Sequence, residues 1–205
     1  MEKSVNKYLT KLTPARPEVL AEMEAVAIQD DFPIVGPLVG RLLCQLAMVS
    51  KARRVLEMGS GFGYSAFWFS LALKGRGHIT MTDSDRKNKT KAFNYFKRAG
   101  LQSRFDFRVG DALKIVRLLD GPFDIIFNDI DKKDYPQTID LAAARLRKGG
   151  LFITDNLLWS GKVLGKKHDQ ATAGIVEFAD RLYKDSRFLT TVMPIRDGVS
   201  IALRV

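Results

Sequence analysis

Phe127-Asn128-Asp129-Ile130-Asp131-Lys132 and Phe152-Ile153-Thr154-Asp155-Asn156 each close a short apolar run with oxygen-bearing side chains. The runs, Phe123 to Phe127 and Leu151 to Thr154, are short and rich in aromatic and β-branched residues. They read as buried parallel strands at the point where they emerge. In open α/β sheets, ligands sit beyond the carboxyl ends of the strands. If the two strands are neighbours, Asp129, Asp155 and Asn156 converge with oxygen donors only. Such a set suits Mg²⁺ or another hard divalent cation such as Ca²⁺ or Mn²⁺, and does not suit zinc. Lys132 would then face whatever the cation holds. The competing reading makes these residues ordinary turn formers.

The rest of the chain extends that sheet. Strands are predicted near Arg54–Met58, His78–Thr82, Phe105–Val109, Phe123–Asn128, Leu151–Thr154, Thr190–Ile195 and Val199–Arg204. Helices are predicted near Tyr64–Leu73, Arg86–Ala99, Ala112–Leu119, Tyr135–Arg147 and Thr172–Lys184. Repeated β-α-β-α with short connections implies a parallel sheet with helices on both faces. Only Arg196-Asp197-Gly198 parts the last two strands, and Asp-Gly is a hairpin signal, so the final strand should run antiparallel. Ahead of the sheet, Thr13-Pro14 reads as a helix start, with a helix running to about Gln29. Asp30-Asp31-Phe32-Pro33 breaks it, and a second helix runs from about Val35 to Val49. The expected organisation is one domain, with residues 1–50 as a helical extension and 51–205 as the α/β core.

Composition narrows the class. At 205 residues the chain builds one full core. No apolar run approaches the roughly 18 residues of a membrane span. No apolar stretch follows Met1-Glu2-Lys3-Ser4, and Cys44 stands alone, so neither a signal peptide nor an internal disulfide is expected. The expected location is the cytoplasm. Two distant histidines, His78 and His168, make a histidine metal site unattractive. The net charge of +10 gathers at Lys51–Arg54, Arg86–Arg98, Arg145–Lys148 and Lys162–Lys167. These are solvated helix ends and loops, or a surface that attracts phosphates.

Glu57-Met58-Gly59-Ser60-Gly61-Phe62-Gly63-Tyr64-Ser65 ends the first strand. Its glycines let the backbone approach a ligand. The order is not G-x-G-x-x-G, and no lysine follows Gly63, so neither a dinucleotide fingerprint nor a P-loop is present. Asp83 ends the second strand, where a carboxylate commonly takes ribose hydroxyls. Asp111-Ala112 follows the third, with a carboxylate and an N–H available to an adenine edge. Asp85 and Asp111 are equally good helix N-caps.

These segments, in this order, resemble the catechol and caffeoyl-coenzyme A type of O-methyltransferase that uses S-adenosylmethionine (SAM). The specific part is Asp129-x-Asp131-Lys132-x-x-Tyr135 with Asp155-Asn156-x-x-Trp159-x-Gly161. The resemblance also takes in Gly149-Gly150-Leu151 and Asp197-Gly198-Val199, and runs from about Arg53 to the C-terminus. It implies a Rossmann-like class I methyltransferase fold with a seven-stranded, mostly parallel sheet. It implies that Asp129, Asp155 and Asn156 hold a divalent metal and that Lys132 is the general base. It places Asp83 on the cofactor ribose, Asp111 and Ala112 at the adenine, and Glu57, Gly59, Gly63, Tyr64 and Ser65 under the methionine moiety, with Asp129 beside it. A hydroxylated aromatic small molecule is the implied acceptor, and a homodimer the implied assembly. Asn128, where an aliphatic residue is common, and Ile34-Val35-Gly36-Pro37, in place of an acidic segment, depart from the family pattern. Two other functions stay open. One is methylation of a 5-hydroxyuridine in tRNA, which the charge favours; the other is a nucleoside-binding protein without catalysis.

Overall fold

The computed structural model describes residues 2–102 and 104–205. Three helices precede the sheet: α1 (Glu2–Leu12), α2 (Glu18–Gln29) and α3 (Gly36–Val49). The core then alternates as β1 (Arg54–Met58), α4 (Tyr64–Leu73), β2 (His78–Asp83), α5 (Arg86–Arg98), β3 (Phe105–Val109), α6 (Ala112–Leu118) and β4 (Phe123–Asn128). It continues through α7 (Tyr135–Arg145), β5 (Leu146–Thr154), α8 (Gln170–Lys184), β6 (Phe188–Met193) and β7 (Val199–Arg204). Short 3-10 turns at Lys132–Asp134 and Trp159–Leu164 follow β4 and β5.

The N-terminal reading needs correction. The sequence predicts a helix from Pro14, but α2 begins at Glu18, with Pro17 as its N-cap at φ −49° and ψ 142°. A proline disfavours helical backbone in the residue before it, so Arg16 cannot lie inside a helix that continues through Pro17. The separate helix α1 was not anticipated, and the extension therefore holds three helices. Strand β6 ends at Met193, short of the predicted Ile195, because Pro194 has no N–H to give a ladder.

Among the described residues, seven strands form one sheet in the order β3-β2-β1-β4-β5-β7-β6. β1 pairs parallel with β2 and β4, and β4 pairs parallel with β5. β7 enters antiparallel between β5 and β6, as the Asp-Gly turn predicts. Strand alternation divides the core. Val55, Ile79, Met81, Ile125, Phe127 and Ile153 pack under the N-terminal helices, α4 and α5. Leu56, Met58, Ile126, Phe152 and Ala202 pack against α6, α7 and α8 on the other face. Strand order reverses between β1 and β4, so the chain parts there and opens a crevice at the carboxyl ends.

Candidate active site

That crevice is a cleft of about 790 Å³. Gly59, Tyr64, Ser65, Asp83, Asp111, Ala112, Asp129, Lys132, Asp155 and Asn156 all line it. Five strand ends, those of β1 to β5, therefore deliver the predicted residues to one place. Glu57 and Gly63 are not on its wall. Glu57 is fully buried below the glycine loop, where the Ser65 hydroxyl donates to its Oε1. Burial pushes its carboxyl up to about 8. Gly63 sits at φ +89° as the N-cap of α4, a left-handed turn that a glycine adopts without strain.

Gly59 is held close to the opposite side of the crevice. A Cβ there would stand 2.4 Å from the Asp129 carbonyl oxygen, so only glycine lets β1 and β4 end side by side. Asp83 secures the same loop. Its Oδ2 accepts from the Gly61 N–H at 2.9 Å, and its Oδ1 accepts from the Asp85 N–H at 2.8 Å and from Asn88 Nδ2 at 3.0 Å. Asp111 caps α6 by accepting from the N–H groups of Leu113 and Lys114, at 2.8 and 3.2 Å. The N-cap and the cleft-lining readings of Asp111 thus both describe its position.

Across the crevice lie the acidic strand ends. Lys132 Nζ donates to Asp129 Oδ1 at 2.8 Å and lies over the rings of Tyr135 and Trp159. Asp155 is 5% exposed, and its Oδ1 is buried without a hydrogen-bond partner. Burial and the nearby Asp129 charge push the Asp155 carboxyl well up. Burial also raises Asp129, while Lys132 and Arg196 oppose the rise. Two crowded carboxylates, one with an unsatisfied oxygen, are what a hard cation stabilises. Asn156 adds an amide at φ +65°, a left-handed backbone that asparagine tolerates better than most. Among the described residues, no group of three His, Cys, Asp or Glu side chains gathers, so the set is two acids and one amide.

A match to the O-methyltransferase family spans residues 10–205. The chain belongs to that family. It is 30% identical to the catechol O-methyltransferase of Niastella koreensis over 98% of this chain and 96% of that protein. It is 29% identical to caffeoyl-CoA O-methyltransferase 1 of Eucalyptus globulus over 96% of this chain and 85% of the relative. The O-methyltransferase TomG of Streptomyces achromogenes, solved in complex with SAM, superposes with a TM-score of 0.89 at 30% identity, covering 98% and 96% of the two chains.

Two features of this O-methyltransferase were not assigned from sequence. The loop Phe32-Pro33-Ile34-Val35 between α2 and α3 forms a wall of the cleft, with the Phe32 ring 5.0 Å from that of Phe62. The break at Asp30-Asp31-Phe32-Pro33 was legible, but its destination depends on how the helices dock. The second is Asp197, in the β6–β7 turn. It accepts from Asn156 Nδ2 at 3.3 Å and from the Ser160 N–H, and its carbonyl accepts from the Leu158 N–H at 2.8 Å. Trp159 and Ser160 both have positive φ, at 44° and 52°. Bulky residues hold such conformations only where their surroundings impose them. The hairpin turn imposes this one, and it keeps Trp159 beside Lys132. Among the described residues, no helix is long and apolar enough to cross a membrane.

Proposed function

We propose that this enzyme transfers methyl from SAM to a phenolic hydroxyl of an aromatic acceptor with vicinal oxygens, with help from a divalent cation. The observation that carries the reading is the unpartnered, buried Asp155 Oδ1 beside Asp129, in one cleft with the glycine loop, Asp83 and Asp111. SAM, when bound, supplies a methyl group on a sulfonium, whose transfer needs chiefly alignment of the reacting atoms. Asp83 and Asp111 offer carboxylate oxygens for the nucleoside, and Gly59, Tyr64 and Ser65 face the methionine part. A divalent cation, when bound by Asp129, Asp155 and Asn156, supplies the charge that acidifies a neighbouring phenolic hydroxyl, whose unaided pKa is about 10.

In its neutral amine form, Lys132 Nζ would take the hydroxyl proton. Asp129 holds that amine in place, and the faces of Tyr135 and Trp159 limit where it can swing. Phe32, Pro33, Ile34 and Val35 present an apolar surface to a flat acceptor and exclude water from it. The acceptor sides of the catechol and caffeoyl-CoA relatives' names fit such a pocket.

A second acceptor, a hydroxylated uridine in tRNA, draws support from one feature. Trp159 and Ala171 both line the cleft, and Lys162, Lys166 and Lys167 stand exposed on the segment between them. The deciding experiment offers labelled SAM to catechol and caffeate, to bulk tRNA and to 5-hydroxyuridine-containing tRNA, each with Mg²⁺ and with EDTA. Label on the phenols that EDTA removes is the expected result. Label confined to the hydroxylated tRNA would replace the acceptor, and label insensitive to EDTA would remove the metal.

A further inference from the structure

One layer below the cleft, three polar side chains lie abreast where the sheet should be apolar. Asn128 of β4 pairs with Thr154 of β5, and Thr154 pairs with Ser200 of β7. Paired residues on neighbouring strands point to the same face. Here it is the face that Ile126, Phe152 and Ala202 fill two residues away with core. Asn128 and Thr154 are 0% exposed and Ser200 is 1% exposed. Asn128 Oδ1 and Nδ2, Thr154 Oγ1 and Ser200 Oγ all lack a hydrogen-bond partner in the protein.

Buried polar groups are kept only when something satisfies them, and a group left bare forfeits its hydration for nothing. Four such atoms in adjacent positions supply both donors and acceptors, as an ordered internal water requires. We infer that Asn128, Thr154 and Ser200 hold internal water as a hydrogen-bonded row across β4, β5 and β7. This row fixes the strand ends from which Asp129 and Asp155 project. Asn128 is followed directly by Asp129, and Thr154 by Asp155 and Asn156. A row that ties the strands sideways therefore sets the spacing of the oxygen donors above it. Asn128 is a positioning residue: it touches neither cofactor nor acceptor, and it acts through its neighbours in the chain. This also accounts for an asparagine at a place where an aliphatic residue would pack with less cost. The inference rests on the proposed cation site.

The test titrates Mn²⁺ into the full chain, without SAM or acceptor, for the native protein and for Asn128→Leu and Asn128→Ser. Leu keeps the branched outline and removes both polar atoms, whereas Ser keeps a hydroxyl. Supporting groups behind metal ligands typically alter affinity 10- to 100-fold, so about a 10-fold weaker Mn²⁺ affinity is expected for Asn128→Leu. SAM affinity should be unchanged, and Asn128→Ser should recover most of the loss. Equal Mn²⁺ affinity in native and Leu variants would overturn the positioning role. So would a parallel fall in Mn²⁺ and SAM affinity, which would mark general damage. A native chain that binds no Mn²⁺ would instead sink the cation site itself. High-resolution crystallography of the native chain supplies the independent readout. Density for water bonded to Asn128, Thr154 and Ser200 supports the row, and side chains bonded directly to one another overturn its hydration.

Discussion

Glu57, buried below the glycine loop, and Lys132, on the wall of the cleft, are ionisable residues whose surroundings give them opposite tasks. Glu57 is fully buried, and its carboxyl is raised to about 8 by burial, partly offset by its bonds to Ser65 and Ser60. A raised carboxyl binds its proton in the folded state at pH values where the unfolded chain has released it. Its stabilisation is therefore complete below the unfolded value of about 4.5 and is lost as pH climbs towards about 8. Integrated over that window, this single group contributes a decline of at most about 5 kcal/mol. Urea midpoints at pH 5.5 and 8.5 should show the native chain weakening, and Glu57→Gln should make the slope shallower by its share, the buried Asp155 supplying a slope of the same sign, while keeping an acceptor for Ser65. An unchanged slope would place the titration elsewhere. Lys132, tied to Asp129 at 2.8 Å, lines the cleft and is the proposed base. Lys132→Ala should lower kcat by about 10²- to 10⁴-fold, the usual weight of a proton-transferring side chain, with SAM affinity nearly intact. Equal losses in turnover and SAM affinity would remove it from the proton transfer.

The elements show why some of the site was legible and some was not. Each β-α turn writes its function in adjacent residues: a strand ends, the chain turns, and Asp83, Asp111, Asp129 or Asp155 stands at the corner. Such corners are local in sequence, so their convergence followed from assigning the strands correctly. The wall Phe32–Val35 and the clamp at Asp197 come from opposite ends of the chain and meet the site only through packing. The late start of α2 has a local cause: Thr13-Pro14 reads as a helix start, but Pro17 holds the chain extended and the helix begins only after it. Packing between elements also supports a prediction. α8 lies so close to the turn that carries Lys132 that a Cβ on Gly174 would stand 2.4 Å from the Lys132 carbonyl and 2.8 Å from Lys133 Cα. Both are backbone atoms of a turn, which must move as a unit. Gly174→Ala should cost about 1–3 kcal/mol in urea unfolding, as overpacking does, and should reduce turnover by displacing Lys132. SAM affinity should hold, because Asp83 and Asp111 lie across the crevice. Full turnover in the variant would show that α8 yields instead.

At the scale of the molecule, the proposed reading divides the cleft into a nucleoside half, on β1 to β3, and a cation half, on β4, β5 and the β6–β7 turn. Ion pairs leave the net charge of +10 unchanged, but they neutralise part of the basic runs where those runs lie. Arg98 pairs with Glu22, Lys91 with Asp30 and Arg147 with Asp124, so basic runs in the sequence overstate the free positive charge. The division makes the two ligands separable. SAM at 100 times its Kd should stabilise the fold by about 2.7 kcal/mol. For a chain of this size each kcal/mol raises Tm by about 2–4 °C, which gives a shift of about 5–10 °C. If the nucleoside half binds by itself, most of this shift persists in EDTA, while methyl transfer stops. Asp155→Ala should behave as the EDTA-treated enzyme does: a preserved SAM shift and no response of activity to added Mg²⁺. A SAM shift that disappears with the metal would mean that the cation organises both halves, and the crevice would then have to be treated as one site whose walls form together.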